Sequence, residues 1–179
     1  MELVQRKRLQ EYLQDHLTLS MAGLELAKRC LRNNPKGELG NFLRTFVSQI
    51  PSERAWLRAS LVKLGGEIPQ LKLLASWMLE KLMPLKFNAF GIRHTRLSRV
   101  FELETLLVGV RGKLNMYRIL DEGARSLAWE VGNPGPLLSQ AEWQVKALQE
   151  FCMRAAGTAF GFPRSAGTHP PNRKARAPS

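Results

Sequence analysis

The sequence predicts an all-α protein built as a bundle of four long helices. Three observations support this fold class. Apolar residues recur every three or four positions in four segments, 3–32, 39–64, 96–128 and 137–160. Clusters of Gly, Pro and Asn separate these segments, as expected at helix ends. No stretch shows the alternation of apolar and polar residues that is typical of a strand.

The first two helices are joined by a short turn. The segment 3–32 stops at Asn33-Asn34-Pro35-Lys36-Gly37, a run that helices rarely cross. The segment 39–64 then carries an apolar face and ends before Gly65-Gly66. Pro51 falls on the outer side of this second helix, so we expect a kink rather than a break.

A long connection leads to the second half of the chain. It holds a short predicted helix at 68–83, opened by Pro69 and stopped by Pro84. Thr95 is placed to cap the helix 96–128. That helix has a wide apolar side, which we expect to be buried, formed by Val100, Phe101, Leu103, Leu107, Val108, Val110, Leu114 and Ile119.

The last helix follows a clear break and precedes a different kind of segment. After Gly132-Asn133-Pro134-Gly135-Pro136, Ser139 and Glu142 form a capping-box pattern that would open the helix 137–160. The chain therefore divides into a bundle domain, 1–160, and a Pro-, Ser- and Arg-rich tail, 161–179, that we expect to be disordered.

Charge and composition bound the partners and the compartment. The net charge of +12 favours an anionic partner, and the tail carries four basic residues and no acidic one. No apolar run reaches the roughly 20 residues of a membrane span, and the N-terminus lacks the apolar core of a signal peptide. The two cysteines, Cys30 and Cys152, indicate buried free thiols, and the cytoplasm is the expected compartment.

Polar residues on the predicted inner faces are the candidates for function. Glu53 projects from the middle of the apolar face of the segment 39–64, with Gln49 one turn before it. A carboxylate in a core is costly unless a base or a cation neutralises it. Projection of the other helices places further groups inside, namely His16, Glu104, Arg111, Asn115 and Arg118, with Gln144 at the edge. The same projection places Glu25, Glu80, Glu102 and Glu142 outside.

This arrangement resembles the ferritin-like bundles. That superfamily has four long helices, a long connection between the second and third, and a core that binds two metal ions through Glu and Glu-x-x-His ligands. The resemblance implies that Glu53 and Glu104 stand at the Glu positions of the second and third helices. His16 then occupies the first-helix position, and Trp56 stands where the second helix would carry its His.

A narrower group is also similar to this chain over most of residues 10–160. It comprises bacterial ferritin-like proteins without an assigned activity. The similarity lies in YLQDHL…GLELAKR around residues 12–29, in LSRVFELETLLVGVRGK at 97–113 and in the Gln- and Ala-rich last helix. The resemblance implies a ferritin-like four-helix bundle with a degenerate metal site.

Two interpretations of the inner polar residues follow. His16, Glu53 and Glu104 could hold a single Fe, Mn or Zn ion, since His with two carboxylates suits these metals. The interpretation that we favour has no cofactor: Arg111 and Gln49 join these residues in a buried hydrogen-bonded network that fixes the register of the helices.

The functional hypotheses follow the same division. The first is a non-enzymatic scaffold or interaction protein, as a homodimer or with another protein partner. The second is a metal-dependent oxidoreductase or metal-storage protein. The third is a protein that binds nucleic acid or an anionic surface through residues 161–179.

Overall fold

The computed structural model describes residues 2–69 and 95–162, and these residues form four α-helices. We name them α1 (Leu3–Asn33), α2 (Gly37–Lys63), α3 (Arg96–Leu127) and α4 (Gly135–Phe160). The described residues contain no strand, so the predicted all-α, four-helix class is confirmed. Of the predicted helix 68–83, Ile68 and Pro69 are not helical, and the rest lies outside the described residues, as does the tail from residue 163.

Local sequence explains where these helices begin and end. Thr95 caps α3 as predicted, because its Oγ1 accepts a hydrogen bond from the backbone N–H of Ser98 at 3.0 Å. Gly65 follows α2 with a positive φ of 73°, the left-handed conformation that stops a helix. The predicted start of α4 at the Ser139 capping box is wrong. α4 begins at Gly135, and Pro136 lies in its first turn, where a missing N–H costs nothing.

Pro51 lies inside α2 without ending it. The helix continues from Gly37 to Lys63, and Pro51 is exposed on its outer side, as predicted. At an exposed position, water can satisfy the carbonyl that loses its partner to the proline ring.

Each helix runs antiparallel to its neighbours around the bundle. The short turn pairs α1 with α2, and Gln10 near the start of α1 donates to the carbonyl of Leu64 just past the end of α2. Similar end-to-start contacts join the other neighbouring helices: Arg29 to Glu102 for α1 and α3, Arg118 to Glu142 for α3 and α4, and Arg154 to Glu38 for α2 and α4. Consequently α2 and α3 run in the same direction.

Polar side chains around Glu53 separate the apolar core into two clusters. The first cluster is built from the end of α1 and the starts of α2 and α3, together with the second half of α4; its members include Ala27, Phe42, Phe46, Leu103, Leu106 and Leu148. The second cluster lies at the opposite end of the bundle and includes Leu13, Leu17, Leu57, Leu61, Tyr117 and Leu120. All four helices contribute to each cluster, so neither forms from one helical hairpin alone.

The inner face of α3 differs from the prediction. Val100, Leu103, Val110 and Leu114 are buried as expected, whereas three other members of the predicted apolar side, Phe101, Val108 and Ile119, are exposed. α3 carries apolar residues on two sides, and contact with α1 and α4 decides which side is buried.

In the turn between α3 and α4, a tryptophan lies against a glycine of α3. Trp129 folds back over α3, and a Cβ atom at Gly123 would overlap its indole ring. Ala128, which ends α3, adopts a left-handed conformation with φ of 50° to make this reversal.

Among the described residues, no helix is both long enough and apolar enough to cross a membrane.

Candidate functional site

The polar layer is centred on Glu53, which α2 places in the middle of the bundle. Its side chain faces the core, and the residue is only 5% exposed. Lys113 of α3 answers it: the Nζ atom donates to Oε1 at 2.9 Å and to Oε2 at 2.7 Å. One ammonium thus binds both oxygens of the buried carboxylate. Such charge-assisted hydrogen bonds are the strong ones in proteins.

Three glutamines complete this layer. Gln140 of α4 donates to Glu53 Oε1 at 2.5 Å. Gln144, fully buried one turn later, accepts from Lys113 Nζ at 2.7 Å through its Oε1 atom. Its Nε2 group donates to Gln49 Oε1 at 2.9 Å and lies 3.3 Å from Glu53 Oε1. We call these five residues the polar layer: Gln49, Glu53, Lys113, Gln140 and Gln144.

Burial dominates the electrostatics of the layer. Burial lowers the pKa of Lys113, and the charge and hydrogen bonds of Glu53 act in the opposite direction. Lys113 also lies over the ring of Phe46, 5.3 Å from its centroid. Burial and, secondarily, the charge of Glu53 raise the pKa of Tyr117. The layer therefore contains an ion pair in largely apolar surroundings, where each of the two charges is stabilised by the other.

The structure brings together only part of the predicted site. Glu53 and Gln49 lie in the polar layer, as expected. Glu104 and Arg111 are exposed, so the prediction that they face the core is wrong. His16 is half-buried and packs its ring edge-on against Tyr12, with 4.6 Å between the centroids. Burial lowers the pKa of His16, while Asp15 raises it to a lesser extent.

The prediction for α3 placed the wrong side of the helix toward the core. Leu106, Val110, Leu114 and Tyr117 are all buried and define the inner face. Lys113 is three residues after Val110 and seven after Leu106, so it lies on that face. Its long apolar stem also suits a largely buried position. This spacing places Lys113 inside once the inner face of α3 is known, but the apolar residues on the opposite side of α3, such as Val108, follow a similar spacing. Asn115 and Arg118, predicted inside, are exposed.

A second buried carboxylate lies where the sequence predicted an exposed one. Glu102 of α3 is 1% exposed. Arg29 Nε and Asn33 Nδ2, both from the end of α1, donate to its Oε1 atom at 3.1 and 2.9 Å. Its Oε2 atom has no hydrogen-bond partner among the described residues. The predicted outward direction of Glu102 is wrong because α1 packs over that side of α3. Glu25 and Glu142 are exposed, as predicted.

The proposed metal ligands do not form a donor set. His16, Glu53 and Glu104 are all described, and across the described ranges no group of three or more His, Cys, Asp or Glu side chains is arranged to hold a metal ion. Glu53 already binds Lys113 through both oxygens, and Glu104 points to solvent. The structure therefore does not bring these three side chains together.

The two cysteines lie in the first apolar cluster, away from the polar layer. Both are free and buried, as predicted. Burial raises the pKa of Cys30 to about 12, with a smaller contribution from the charge of Glu102. Burial likewise raises the pKa of Cys152 to about 11. Neither thiol is activated as a nucleophile or as a metal ligand.

Comparison with known proteins adds no identification. No protein-family model matches the chain, and neither a curated protein nor a solved structure matches it.

Proposed function

We propose that this chain is a non-enzymatic scaffold or interaction protein whose polar layer holds three of its four helices, α2, α3 and α4, in register. One observation carries the proposal: within the layer, each charged group is bound by another member. Lys113 binds both oxygens of Glu53, and Gln140 and Gln144 donate to the same carboxylate. A general acid, a base or a nucleophile needs a position that substrate can reach. Substrate cannot reach the carboxylate of Glu53, because Lys113, Gln140 and Gln144 surround it.

The fold that we propose is a ferritin-like bundle with a degenerate metal site. The common direction of α2 and α3, with a long connection between them, supports this assignment, because one long crossover is typical of ferritin-like bundles. The sequence resemblance at 12–29 and 97–113 supports it independently. In this proposal the ammonium of Lys113 provides the positive charge that a metal ion provides in metal-binding relatives.

Replacement of the ion pair by apolar residues tests the register role. In a variant with Glu53→Leu and Lys113→Met, both charges are removed together, so no charge is left buried and unpaired. We expect helical content by circular dichroism to remain and the dispersion of amide resonances in NMR spectra to decrease. A matched control is Glu104→Leu with Lys146→Met, which changes exposed residues of the same types on α3 and α4. Full dispersion in the core variant would contradict the register role.

Elemental analysis tests the non-enzymatic part of the proposal. Protein purified without chelator is expected to contain no stoichiometric Fe, Mn or Zn. Stoichiometric metal that is lost in Glu53→Ala and retained in Glu104→Ala would contradict the proposal and favour a metal-dependent function at Glu53. Circular dichroism of both variants confirms that any loss of metal is not a loss of fold.

A further inference from the structure

Two arginines stand on adjacent turns of α2 without an acidic partner. Arg54 and Arg58 are four residues apart, so their side chains are neighbours on one side of the helix, with Cβ atoms about 5–6 Å apart. None of the ion pairs among the described residues includes either of them. We call Arg54 and Arg58 the arginine pair.

The stems of the arginine pair are packed, whereas the charged ends reach solvent. Both residues are half-buried. Both Nε atoms are buried and have no hydrogen-bond partner, while the terminal nitrogens, which form no hydrogen bond with the described residues, remain accessible. Because the stems are already held, a ligand that binds the two guanidinium groups costs less side-chain entropy than one that binds two mobile arginines.

The two charges of the arginine pair oppose each other. Burial and, secondarily, the charge of Arg58 lower the pKa of Arg54. Like charges four residues apart also destabilise a helix. Elsewhere in the bundle, the partly buried Lys113 and Arg29 each bind a carboxylate. The arginine pair instead leaves two neighbouring positive charges without a counter-charge.

The arginine pair lies on the outer side of α2, towards α1. The opposite flank of α2 faces α4, because Gln49 accepts a hydrogen bond from Gln144 there. At 100° per residue, Arg54 and Arg58 lie about 140° and 180° around the helix from Gln49. The polar layer and the arginine pair therefore occupy different sides of the same helix.

The facing side of α1 supplies no counter-charge either. Gln14 donates to the backbone just beyond α2, at Glu67. Because α1 and α2 are antiparallel, the residues that follow Gln14 on this side, Thr18 and Met21, run beside earlier turns of α2, and both are uncharged. Further along, Glu25 is already in an ion pair within α1. Glu11, one turn before Gln14, is exposed and forms no ion pair with α2.

We infer that the arginine pair binds a phosphate monoester on the outer side of α2, with both guanidinium groups donating hydrogen bonds to the phosphate oxygens. Planar guanidinium groups match the oxygens of a phosphate bidentately. A monoester carries close to two negative charges at neutral pH and so balances both arginines, whereas a phosphodiester carries one. The inference does not use the polar layer, so it stands or fails separately from the proposed function.

Calorimetric titration of the full chain with inorganic phosphate tests the inference, with sodium chloride keeping the ionic strength constant. We expect a Kd of about 1 mM. Arg54→Gln combined with Arg58→Gln should weaken binding roughly tenfold or more. The matched control, Arg8→Gln with Arg111→Gln, removes the same charge at exposed positions and should bind as the original chain does. An absence of binding, or binding that the Arg54→Gln, Arg58→Gln variant retains, would overturn the inference.

Urea unfolding separates binding from loss of fold. Without phosphate, the variant Arg54→Gln, Arg58→Gln should unfold at the same or a higher urea concentration, because it removes a repulsion between like charges. Phosphate stabilises proteins in general by its exclusion from their surface. A bound phosphate adds to this effect, so the midpoint of the original chain should rise further than that of the variant. An equal rise in both proteins would overturn the inference.

Two further probes identify the class and the source of the ester. Inorganic phosphate should bind about fivefold or more tightly than dimethyl phosphate, a diester with one charge. Equal affinity would overturn the assignment to a monoester. A free small molecule and a lipid headgroup present the same phosphate group. Cosedimentation with phosphatidylcholine vesicles that contain phosphatidic acid, lost in the Arg54→Gln, Arg58→Gln variant, would assign the lipid; phosphate binding without cosedimentation would assign a free ester.

Discussion

Two buried carboxylates, Glu53 in the middle of the bundle and Glu102 between α1 and α3, are neutralised in different ways. Glu53 is bound by an ammonium through both oxygens and by two amides, and Lys113 is itself only 18% exposed. Among the described residues, Glu102 is bound through one oxygen only, by Arg29 and Asn33, and the side chain of Arg29 is 46% exposed. In the first site both charges are removed from water together, whereas in the second the side chain of the base remains partly exposed to water. The loss of the base should therefore have different consequences in the two sites.

The largest expected effect is that of Lys113→Met. It leaves the carboxylate of Glu53 buried among neutral amides, and the unfolding free energy should fall by about 3–5 kcal/mol. Urea unfolding at neutral pH measures this change. Combination with Glu53→Gln removes the stranded charge and should restore most of the loss. Lys146→Met, at an exposed position of α4, is the matched control. A loss below about 1 kcal/mol in the single variant would mean that water reaches Glu53.

A smaller effect is expected for Arg29→Met. Asn33 still donates to Glu102, and water can enter at the position of the half-exposed guanidinium, so the unfolding free energy should fall by about 1–2 kcal/mol. The same urea experiment applies, with Arg32→Met on α1 as an exposed control. A loss equal to that of Lys113→Met would remove the distinction between the two sites.

The smallest effect concerns the thiols of the first apolar cluster. The pKa of Cys30 is raised from 9.0 to about 12 and that of Cys152 to about 11. A raised pKa stabilises the folded state fully below pH 9, and this contribution is lost as the pH rises through 11 and 12. Neither thiol of the folded protein should react with a thiol reagent at pH 8, while both should react in urea. Rapid reaction of the folded protein would show that the cluster opens easily.

Helix boundaries could be predicted from the sequence because they depend on local residues. Thr95 and the glycines after α2 and α4 act through their own backbone or side chain. Local patterns fail where two of them compete, as at the start of α4. There the proline in the first turn defines the helix, and Ser139 lies inside it.

The candidate site could be predicted only in part, because it depends on how the helices pack. Glu53 lies in the middle of one unambiguous apolar face, so its burial follows from α2 alone. Its partner lies on α3, where apolar residues such as Leu106 and Val108 occupy opposite sides. The chemical expectation that a base neutralises Glu53 agrees with the structure. The identity of that base, Lys113 rather than Arg111, depends on contacts with α1 and α4 that no single helix encodes.

The turn between α3 and α4 restricts the residue that can stand at position 123 to one without a side chain. Where the indole of Trp129 lies against Gly123, even one added methyl group would have to displace a bulky aromatic ring. A substitution at Gly123 is therefore limited by the space that the ring of Trp129 occupies. At Gly123, sequence variation is limited because there is no room for a Cβ atom, and not because a particular chemical group is needed.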